Sequence, residues 1–435
     1  MAVINKQNIK ELFPLLADSV HYIKRRKNEL CALNRHLARK RFQKNNEQIN
    51  RGRIKVVFIC QYIPAWSKNK QLYETLKKDK LFEVMLLCIP NRVSANRLED
   101  PDNMSNDVYD YFSSRGYEEA VNALIGKDKW FELKTWRPDY VFYNRYDRPM
   151  PLQYTSSIVS CYAKICLIIY GVALLRLDDY LIDKTFMSNT FCFFAESKGI
   201  KNEFIRWNRI LCKQGLSNAY LCGIAAVENA IKAKDDPCPA WTFSKNDFRI
   251  IYAPRWTTDL SWGGSSFMKY KDTFTRMADK QSDIDILIRP HPLMFDNFIK
   301  LGIMNEKDVN EYKTGCEERS NIRVDKEKEY QSTFWNSSLL VCDFSSMIIE
   351  YFVTGKPIIF VSYSEKIEYN DIMHLMLDGC YIVNNEDELK QTINDLKNGI
   401  DPLAEVRWQV INNELLGSLN ASEKMKQVLI ENYKK

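Results

Sequence analysis

Three short segments in the second half of the chain carry residue types that bind phosphate. They are residues 253–257 (APRWT), 289–292 (RPHP) and 343–350 (DFSSMIIE), and each directly follows an apolar run typical of a buried strand. In open α/β sheets, ligands bind beyond the carboxyl ends of the parallel strands. We therefore expect Arg255 and His291 to share one crevice with the hydroxyl groups of the third segment.

The third segment is the most informative, because it predicts where an anion would bind. Ser345 and Ser346 open a predicted helix, so their hydroxyls and backbone N–H groups lie where the helix dipole favours a negative charge. Glu350 follows about one turn later, where its carboxylate is placed to accept the two hydroxyls of a ribose. The alternative interpretation is that Ser345 only caps the helix and that Glu350 is a solvated surface residue.

His291 is one of four histidines in the chain, and Pro290 and Pro292 stiffen the turn that carries it. We expect its ring to donate a hydrogen bond to a phosphate oxygen or to protonate a leaving phosphate. Arg255 is expected to neutralise the same phosphates, with a surface salt bridge as the alternative. The predicted nucleotide- and phosphate-binding residues are Arg255, Arg289, His291, Asp343, Ser345, Ser346 and Glu350.

The apolar runs before these segments belong to two series of predicted strands. The first series is 54–60, 82–89, 137–143, 163–171 and 190–194, and the second is 248–252, 284–288, 339–342, 357–361 and 380–383. Helical patterns such as 72–79, 347–353 and 386–396 alternate with the strands, and this alternation builds parallel sheets. The sequence therefore predicts an α/β protein of two Rossmann-like domains that face a cleft.

The predicted organisation has four parts. They are a basic helical extension (1–52), a first Rossmann-like domain (53–235), a second one (236–405) and C-terminal helices (406–435). The boundary between the domains is predicted from a polar stretch with two prolines at 234–240. A chain of 435 residues suits two such domains, at roughly 100–200 residues per domain.

The composition excludes several classes of protein. Hydrophobic residues make up 45% of the chain and aromatic residues 12%, which is typical of a globular protein and not of a disordered one. Twelve cysteines are scattered without a CxxC pair, so we expect reduced thiols and no zinc site. The N-terminus lacks the pattern of a secretory signal, and the longest apolar run, 165–175, is shorter than the roughly 20 residues of a membrane span.

Positive charge is concentrated in residues 21–55, which hold twelve Lys and Arg against two Glu. Leu30, Leu33, Leu37 and Phe42 recur there at helical spacing, and a basic amphipathic helix of this kind rests on anionic lipid. The sequence leaves open that the helix instead packs, solvated on one side, against the first domain. Nucleic acid is not an expected partner, because no recognisable nucleic-acid module follows.

Three stretches resemble the motif series of a known family. YAPRWT, ILIRPHP and LLVCDFSSMIIEYFVTGKPIIF are similar to motifs of the CDP-glycerol glycerophosphotransferases, the teichoic-acid and capsule polymerases with a GT-B-type pair of Rossmann domains. The resemblance covers chiefly residues 240–400 and is weaker at 56–84. It implies that the second domain binds a CDP-alditol donor, with Arg289 and His291 on the phosphates, the two serines beside them and Glu350 on the ribose.

The first domain departs from the pattern of this family. Family members place a His-Gly pair after a first-domain strand, where the histidine is thought to act as base on the acceptor hydroxyl, but this chain has Tyr170 and Gly171. The base would then be Tyr170 or a carboxylate such as Asp147, Asp178 or Asp179. The candidate catalytic residues are His291, Tyr170 and Asp147.

The resemblance implies a transferase that moves an alditol phosphate from a CDP-activated donor to a hydroxyl of a cell-envelope glycan or polymer and releases CMP. The first domain would bind this acceptor, which is lipid-linked or polymeric. No metal ligand set is visible, and a loosely held Mg²⁺ is compatible with the sequence. We expect a cytoplasmic protein that is peripheral at the inner face of a bacterial plasma membrane. The alternatives are a GT-B glycosyltransferase that uses a UDP- or CMP-sugar and a non-catalytic nucleotide-binding component of a capsule assembly complex.

Overall fold

The computed structural model describes residues 14–44, 52–94, 97–100, 102–127, 129–146, 149–170, 183–259, 264–361 and 367–433. Three of the candidate bases, Asp147, Asp178 and Asp179, lie outside these residues, as do parts of the basic segment at 45–51. Across the described ranges, none of the helices is both long enough and apolar enough to cross a bilayer.

The chain forms two compact units, and the first comprises the described residues of Met1–Tyr170, Leu177–Cys222 and Ser422–Lys435. Its strands are β1 (Ile54–Cys60), β2 (Phe82–Cys88), β3 (Val93–Ser94), β4 (Arg97–Leu98), β5 (Ala120–Asn122), β6 (Leu124–Gly126), β7 (Lys129–Trp130), β8 (Tyr140–Tyr143), β9 (Lys164–Leu167), β10 (Thr190–Ala195) and β11 (Asn218–Leu221). Its first helices are α1 (Pro14–Lys44), α2 (Lys70–Lys77), α3 (Asp107–Ser113), α4 (Leu133–Trp136), α5 (Ser156–Val159), α6 (Lys184–Asn189), α7 (Lys198–Trp207) and α8 (Arg209–Lys213).

Seven strands of the first unit form a parallel sheet in the order β11-β10-β9-β8-β1-β2-β5. The central strands are buried on both faces, which explains why they appear in the sequence as continuous apolar runs. Phe58 stacks on Phe142 of the neighbouring strand at 4.9 Å between ring centroids. The predicted strand 54–60 is confirmed with the same bounds.

The second unit comprises the described residues of Gly223–Ala421. Its strands are β12 (Phe248–Ala253), β13 (Ile284–Ile288), β14 (Ile322–Val324), β15 (Leu339–Cys342), β16 (Ile358–Phe360) and β17 (Tyr381–Ile382). Its helices are α9 (Ala225–Lys232), α10 (Phe267–Lys280), α11 (Met294–Lys300), α12 (Glu306–Glu318), α13 (Gln331–Trp335), α14 (Met347–Phe352), α15 (Asp371–Leu377), α16 (Glu386–Lys397) and α17 (Ala404–Val410). These strands form a parallel sheet in the order β14-β13-β12-β15-β16-β17.

The units divide at Cys222 and Gly223, before the prolyl stretch at 234–240 where the sequence had placed the boundary. Helix α9 precedes that stretch, yet Val227 and Ala230 pack in the same apolar cluster as Trp241 and Phe352 of the second unit. An apolar helix face joins the core that buries it, and a proline-rich turn does not by itself end a domain.

The last helix, α18 (Ala421–Tyr433), packs with the first unit. The hydroxyl of Tyr140 in β8 donates to the carbonyl oxygen of Leu429 at 2.8 Å, and the Nζ of Lys164 in β9 donates to that of Asn432 at 2.6 Å. The predicted C-terminal part, 406–435, is therefore shared between the units, because α17 belongs to the second unit.

Helix α1 packs against the first unit through charged side chains. Glu29, His36 and Arg39 are buried, with the Nε2 of His36 2.9 Å from the carbonyl oxygen of Ser188 and the guanidinium of Arg39 4.7 Å from the ring of Phe191. Burial, reinforced by the charge of Arg39, lowers the pKa of His36 to about 3, so its ring is neutral. The packing alternative left open by the sequence is thus confirmed.

The apolar residues of α1 lie on both its packing face and its outward face. Ala32 and Leu33 pack with Leu211 and Leu216, and the ring of Phe42 meets that of Tyr162 at 6.0 Å between centroids. Leu30 and Leu37 are 56% and 41% exposed, whereas Leu33 and Phe42 are half-buried. The four apolar residues that recur at helical spacing therefore divide between the two faces of the helix. Backbone groups of the first unit pair with two of the buried side chains: the Nε2 of His36 with the carbonyl oxygen of Ser188, and the Oε1 of Glu29 with the N–H of Ile210, as buried polar groups require.

Candidate functional site

The candidate donor site lies where the second sheet reverses its strand order. β12 continues to β13 and β14 on one side, and the chain then returns to place β15 on the other side of β12. Ligands of open α/β sheets bind at the carboxyl ends of the strands at such a switch point. The structure places there the loops that begin after Ala253, Ile288 and Cys342, which are the three segments that the sequence singled out.

Asp343 joins two of these loops. Its Oδ2 accepts the backbone N–H of Arg255 at 2.9 Å and that of Ser266 at 3.0 Å, and its side chain is fully buried. Burial raises the pKa of this carboxyl to about 6, against the opposing effect of these hydrogen bonds. Asp343 thus positions the backbone that carries Arg255, and its predicted contact with the donor stays a prediction.

Arg255 lies on the loop whose backbone Asp343 holds, next to the segment after β15. Its guanidinium lies 5.4 Å from the ring centroid of Phe344, and the residue is half-buried. The neighbouring carboxyl of Asp343 opposes the lowering of the pKa of Arg255 by burial, so the guanidinium stays charged. A cation is thus presented at the switch point, where a phosphate would bind.

His291 lies on the third loop, which is fastened to the first. Its backbone N–H donates to the carbonyl oxygen of Pro254 at 3.0 Å, and its Nδ1 accepts the backbone N–H of Leu293 at 3.2 Å. Because Nδ1 is an acceptor here, the neutral ring carries its proton on Nε2. The indole of Trp256 lies 6.3 Å from the imidazole between ring centroids. The geometry favours a ring that donates a hydrogen bond over one that delivers a proton.

The side chain of Arg289 contacts the segment after β14. It pairs with buried Asp325, donates to the carbonyl oxygen of Glu327 at 3.1 Å, and lies 4.4 Å from the ring centroid of Tyr330. The sequence gave no sign of Asp325 or Tyr330 as its partners, because they follow a different strand. Arg289 therefore orders the loops beside the switch point. Its predicted contact with the donor phosphates stays a prediction.

The two serines differ in their hydrogen bonds. The Oγ of Ser345 accepts the backbone N–H of Met347 at 3.3 Å, which is a helix-capping contact. Ser346 stands at the N-cap position of α14 without a side-chain capping bond. Both are half-buried beside Asp343 at the start of this six-residue helix. Of the two hydroxyls, that of Ser345 thus makes a hydrogen bond to the helix backbone and that of Ser346 makes no side-chain capping bond.

Glu350 is fully buried, so the alternative of a solvated surface residue is wrong. Its Oε1 accepts the hydroxyl of Tyr330 at 3.0 Å and its Oε2 accepts the amide of Gln331 at 3.1 Å. Tyr330 thereby connects Glu350 to Arg289. Tyr330 and Gln331 were not predicted as site residues. The only feature of the sequence that could have indicated them was their position shortly after the strand Ile322–Val324.

Tyr170, the candidate base in the first unit, follows β9 and is half-buried. Its ring meets that of Tyr62 edge-on at 5.3 Å between centroids, and the guanidinium of Arg145 lies 5.4 Å from it. Tyr62 and Arg145 were not among the predicted site residues. The structure brings them together because three strand ends meet at one edge of the sheet.

Comparison with known proteins shows which family the second unit is similar to. Residues 241–405 match the model of a family described as CDP-Glycerol:Poly(glycerophosphate) glycerophosphotransferase. The chain is a CDP-glycerol glycerophosphotransferase-like enzyme. The match spans the three loops at the switch point and confirms the resemblance inferred from the sequence motifs. The comparison with curated protein sequences gave no match.

Solved structures share the fold of this glycerophosphotransferase-like chain at low sequence identity. The wall teichoic acid polymerase TagF superposes with a TM-score of 0.58 at 14% identity, over 95% of this chain and 98% of that chain. A UDP-N-acetylglucosamine 2-epimerase gives 0.57 at 14% identity over 88% and 97% of the two chains. The UDP-GlcNAc 2-epimerase of Neisseria meningitidis gives 0.54 at 13% identity over 87% and 100%. These likenesses confirm the predicted GT-B-type α/β class.

Proposed function

We propose that the chain transfers an alditol phosphate from a CDP-activated donor to a hydroxyl of a cell-envelope glycan or a teichoic-acid-like polymer, and releases CMP. The observation that carries the proposal is the coincidence of the family match, residues 241–405, with the loops that meet at the switch point of the second sheet. Those loops present Arg255, His291 and Ser346 on one edge. A cation, a ring N–H and a hydroxyl are groups that bind a diphosphate.

In the proposed reaction the acceptor hydroxyl attacks the β-phosphorus of the CDP-alditol. The new bond joins the acceptor oxygen to this phosphorus, the bond from the phosphorus to the bridging oxygen breaks, and CMP leaves with the bonding electrons. Arg255 neutralises charge on the phosphates and His291 donates from Nε2 to a phosphate oxygen. Catalysis of this kind consists mainly of positioning and charge stabilisation.

The acceptor proton passes to a base, for which Tyr170 and Asp147 remain the candidates. Among the residues with described positions, no group of three or more His, Cys, Asp and Glu side chains is placed to hold a metal ion. A Mg²⁺ ion carried by the diphosphate of the donor stays a prediction.

The donor preference is tested with a panel of CDP-glycerol, CDP-ribitol, UDP-sugars and CMP-sugars in the presence of a glycan acceptor. Because CMP-sugars also release CMP, the release of CMP does not by itself identify the transferred group. The CDP-alditols therefore carry a label on the phosphorus next to the alditol, and the acceptor is assayed for this label. We expect labelled phosphate in the acceptor from a CDP-alditol. Transfer of sugar alone would indicate a glycosyltransferase, and binding of donors without turnover would indicate a non-catalytic component.

We further propose that the outward face of α1 holds the enzyme on anionic membrane. Ile23, Leu30 and Leu37 recur every seven residues, so they form one line along the helix, and all three are exposed. Exposed cations surround this line at Lys24, Lys27, Lys40, Arg41 and Lys44. An apolar line flanked by cations is the pattern of a helix that lies at an anionic lipid interface. This docking would keep the enzyme on the cytoplasmic side of the membrane, near a lipid-linked acceptor.

A further inference from the structure

An aromatic side chain that the proposed reaction leaves unused stands at the carboxyl edge of the second sheet. Trp256 follows β12 by three residues and is 38% exposed. The centroid of its ring lies 6.3 Å from that of the His291 imidazole, and the two rings are tilted by 43°. Ligand sites are lined largely by aromatic and apolar side chains around a few polar groups, so an exposed indole beside His291 belongs to the surface that faces a ligand.

Two hydrogen bonds hold the loop that carries this ring. The backbone carbonyl oxygen of Trp256 accepts the side-chain amide of Asn297, in α11, at 2.9 Å. The carbonyl oxygen of Pro254 accepts the backbone N–H of His291 at 3.0 Å. A tryptophan has only two side-chain torsions, so a ring on a loop fixed in this way offers a large contact area at little cost in conformational entropy.

The neighbours Arg255 and Trp256 lie toward opposite faces of the second sheet. Helices α9, α13, α14 and α15 pack with Ile251 of β12 in the apolar cluster on one face, and α10, α11, α12 and α16 pack with Ile250 in the cluster on the other, as alternate residues of a strand require. The guanidinium of Arg255 lies 5.4 Å from the ring centroid of Phe344, which packs against the first cluster. Trp256 is held instead by α11, on the second face.

A donor that spans this edge has its two ends on different faces of the sheet. The ribose is expected at Glu350, which belongs to α14 on the first face, and the diphosphate at Arg255 and His291. The group on the far side of the diphosphate then lies toward α11, beside Trp256. An indole at this position contacts the transferred group and not the nucleoside.

We propose that the indole of Trp256 contacts the carbon chain of the alditol, and that Trp256 is a specificity-determining residue for the group that is transferred. The C–H groups of a polyol pack on an aromatic ring and leave water there, while the hydroxyls stay hydrated on the other side. The inference rests on the proposed function, which makes the donor a CDP-alditol. It adds a contact that depends on the alditol itself to the charged contacts that bind any diphosphate.

Calorimetry with CDP-glycerol and with CDP, in the absence of acceptor, separates the alditol from the nucleotide. For Trp256→Ala we expect the Kd of CDP-glycerol to rise about 4- to 15-fold, as for one or two methylene groups lost from apolar contact, and the Kd of CDP to change much less. Trp256→Phe keeps a ring and should lose less affinity than Trp256→Ala. Trp408→Ala is the matched control, because Trp408 is also an exposed tryptophan of this unit, at 49%, but stands in α17. It should bind both ligands like the wild type.

Thermal unfolding shows whether each variant folds. If Trp256→Ala unfolds below the wild-type temperature, Trp256→Gln, which fills more of the space without an apolar ring, takes its place. An equal loss of affinity for CDP and CDP-glycerol would place the indole on the nucleotide, and an unchanged Kd of CDP-glycerol would remove it from the donor. Either result overturns the inference, as does a rise confined to the KM of the acceptor. A wild type that binds CDP-glycerol but transfers no labelled phosphate would instead refute the proposed function and leave the contact with the alditol in place.

Discussion

The backbone N–H of Arg255 donates to the Oδ2 of Asp343 at 2.9 Å, and this bond joins the carboxyl ends of the two strands between which the second sheet reverses its order. Asp343 also accepts the N–H of Ser266 at 3.0 Å. A carboxylate with two backbone donors, buried among three loops, fixes the path of the segment that presents Arg255. The position of the Arg255 guanidinium relative to a bound phosphate therefore depends on Asp343, whose carboxylate accepts backbone N–H groups.

The stability contribution of Asp343 should depend on pH. Because burial raises its pKa from an ordinary value of 3.8 to about 6, the protonated form is favoured in the folded protein. Its contribution is complete only well below pH 3.8 and is lost as the pH rises through about 6, so we expect the wild type to lose about 2 kcal/mol of unfolding free energy relative to Asp343→Asn between pH 4 and 7. Urea denaturation of both proteins across this range measures the difference. Parallel pH profiles would contradict the shift.

His291 is expected to act as a hydrogen-bond donor. Its Nδ1 accepts the N–H of Leu293, so Nε2 carries the proton. We expect His291→Ala to reduce turnover about 100-fold, and His291→Gln, whose amide N–H replaces Nε2–H, to retain most of the activity. Steady-state CMP release decides between the roles. An equal loss in both variants would favour proton transfer, and activity within a few-fold of wild type in His291→Ala would make the histidine structural.

The serines before α14 provide a matched pair. Since Ser345 caps the helix and Ser346 makes no side-chain capping bond, Ser345→Ala should lose about 0.5–2 kcal/mol of stability, whereas Ser346→Ala should unfold like the wild type. Both substitutions should weaken CDP-glycerol binding in calorimetry, by removing a hydroxyl that donates to a phosphate. If nucleotide affinity is unchanged in both, the serines serve the helix alone.

Glu350→Ala should raise the donor KM and also destabilise the fold. The substitution leaves the hydroxyl of Tyr330 and the amide of Gln331 without their acceptor, at a cost of about 1–3 kcal/mol. Tyr330→Phe is the control, because it removes one of these hydrogen bonds and keeps the ring beside Arg289. Donor titrations and thermal unfolding separate the two effects. A stability loss with an unchanged KM would show that Glu350 supports the loop and does not contact the ribose.

The proposed membrane face is testable without removing α1, whose deletion would expose the buried surface that Glu29, His36 and Arg39 cover. The triple variant Ile23→Gln, Leu30→Gln, Leu37→Gln should sediment less with vesicles that contain phosphatidylglycerol. Binding of the wild type should fade as salt shortens the Debye length from about 10 Å at 0.1 M to about 3 Å at 1 M.

The control for the membrane experiment is a triple variant of equally exposed apolar residues elsewhere in the first unit, Ile125→Gln, Leu152→Gln, Ile158→Gln. It should sediment like the wild type. Loss of binding in both variants, or sedimentation that does not depend on lipid charge, would show that α1 only packs against the first unit and does not bind membrane.

Buried strands were the most predictable part of the fold. The runs 54–60, 284–288 and 339–342 were predicted with the bounds that the structure has, because strands of a parallel sheet are apolar on both faces. The adjacency of the three donor loops also followed from the sequence, since the carboxyl ends of parallel strands share an edge. The packing of α9 and α18 did not follow, because an amphipathic pattern shows that a helix has a buried face and not which core buries it.

The sequence by itself determined the α/β class, the family motifs and the residues that stand at the strand ends, since these depend on residue type and on local spacing. Only the tertiary structure decided which partners those residues have. Asp343 binds the backbone of Arg255, Arg289 pairs with Asp325, and Glu350 accepts Tyr330, which follows a different strand. Such pairs join segments far apart in the chain, and a buried polar group takes whatever donor or acceptor the fold brings within hydrogen-bonding distance.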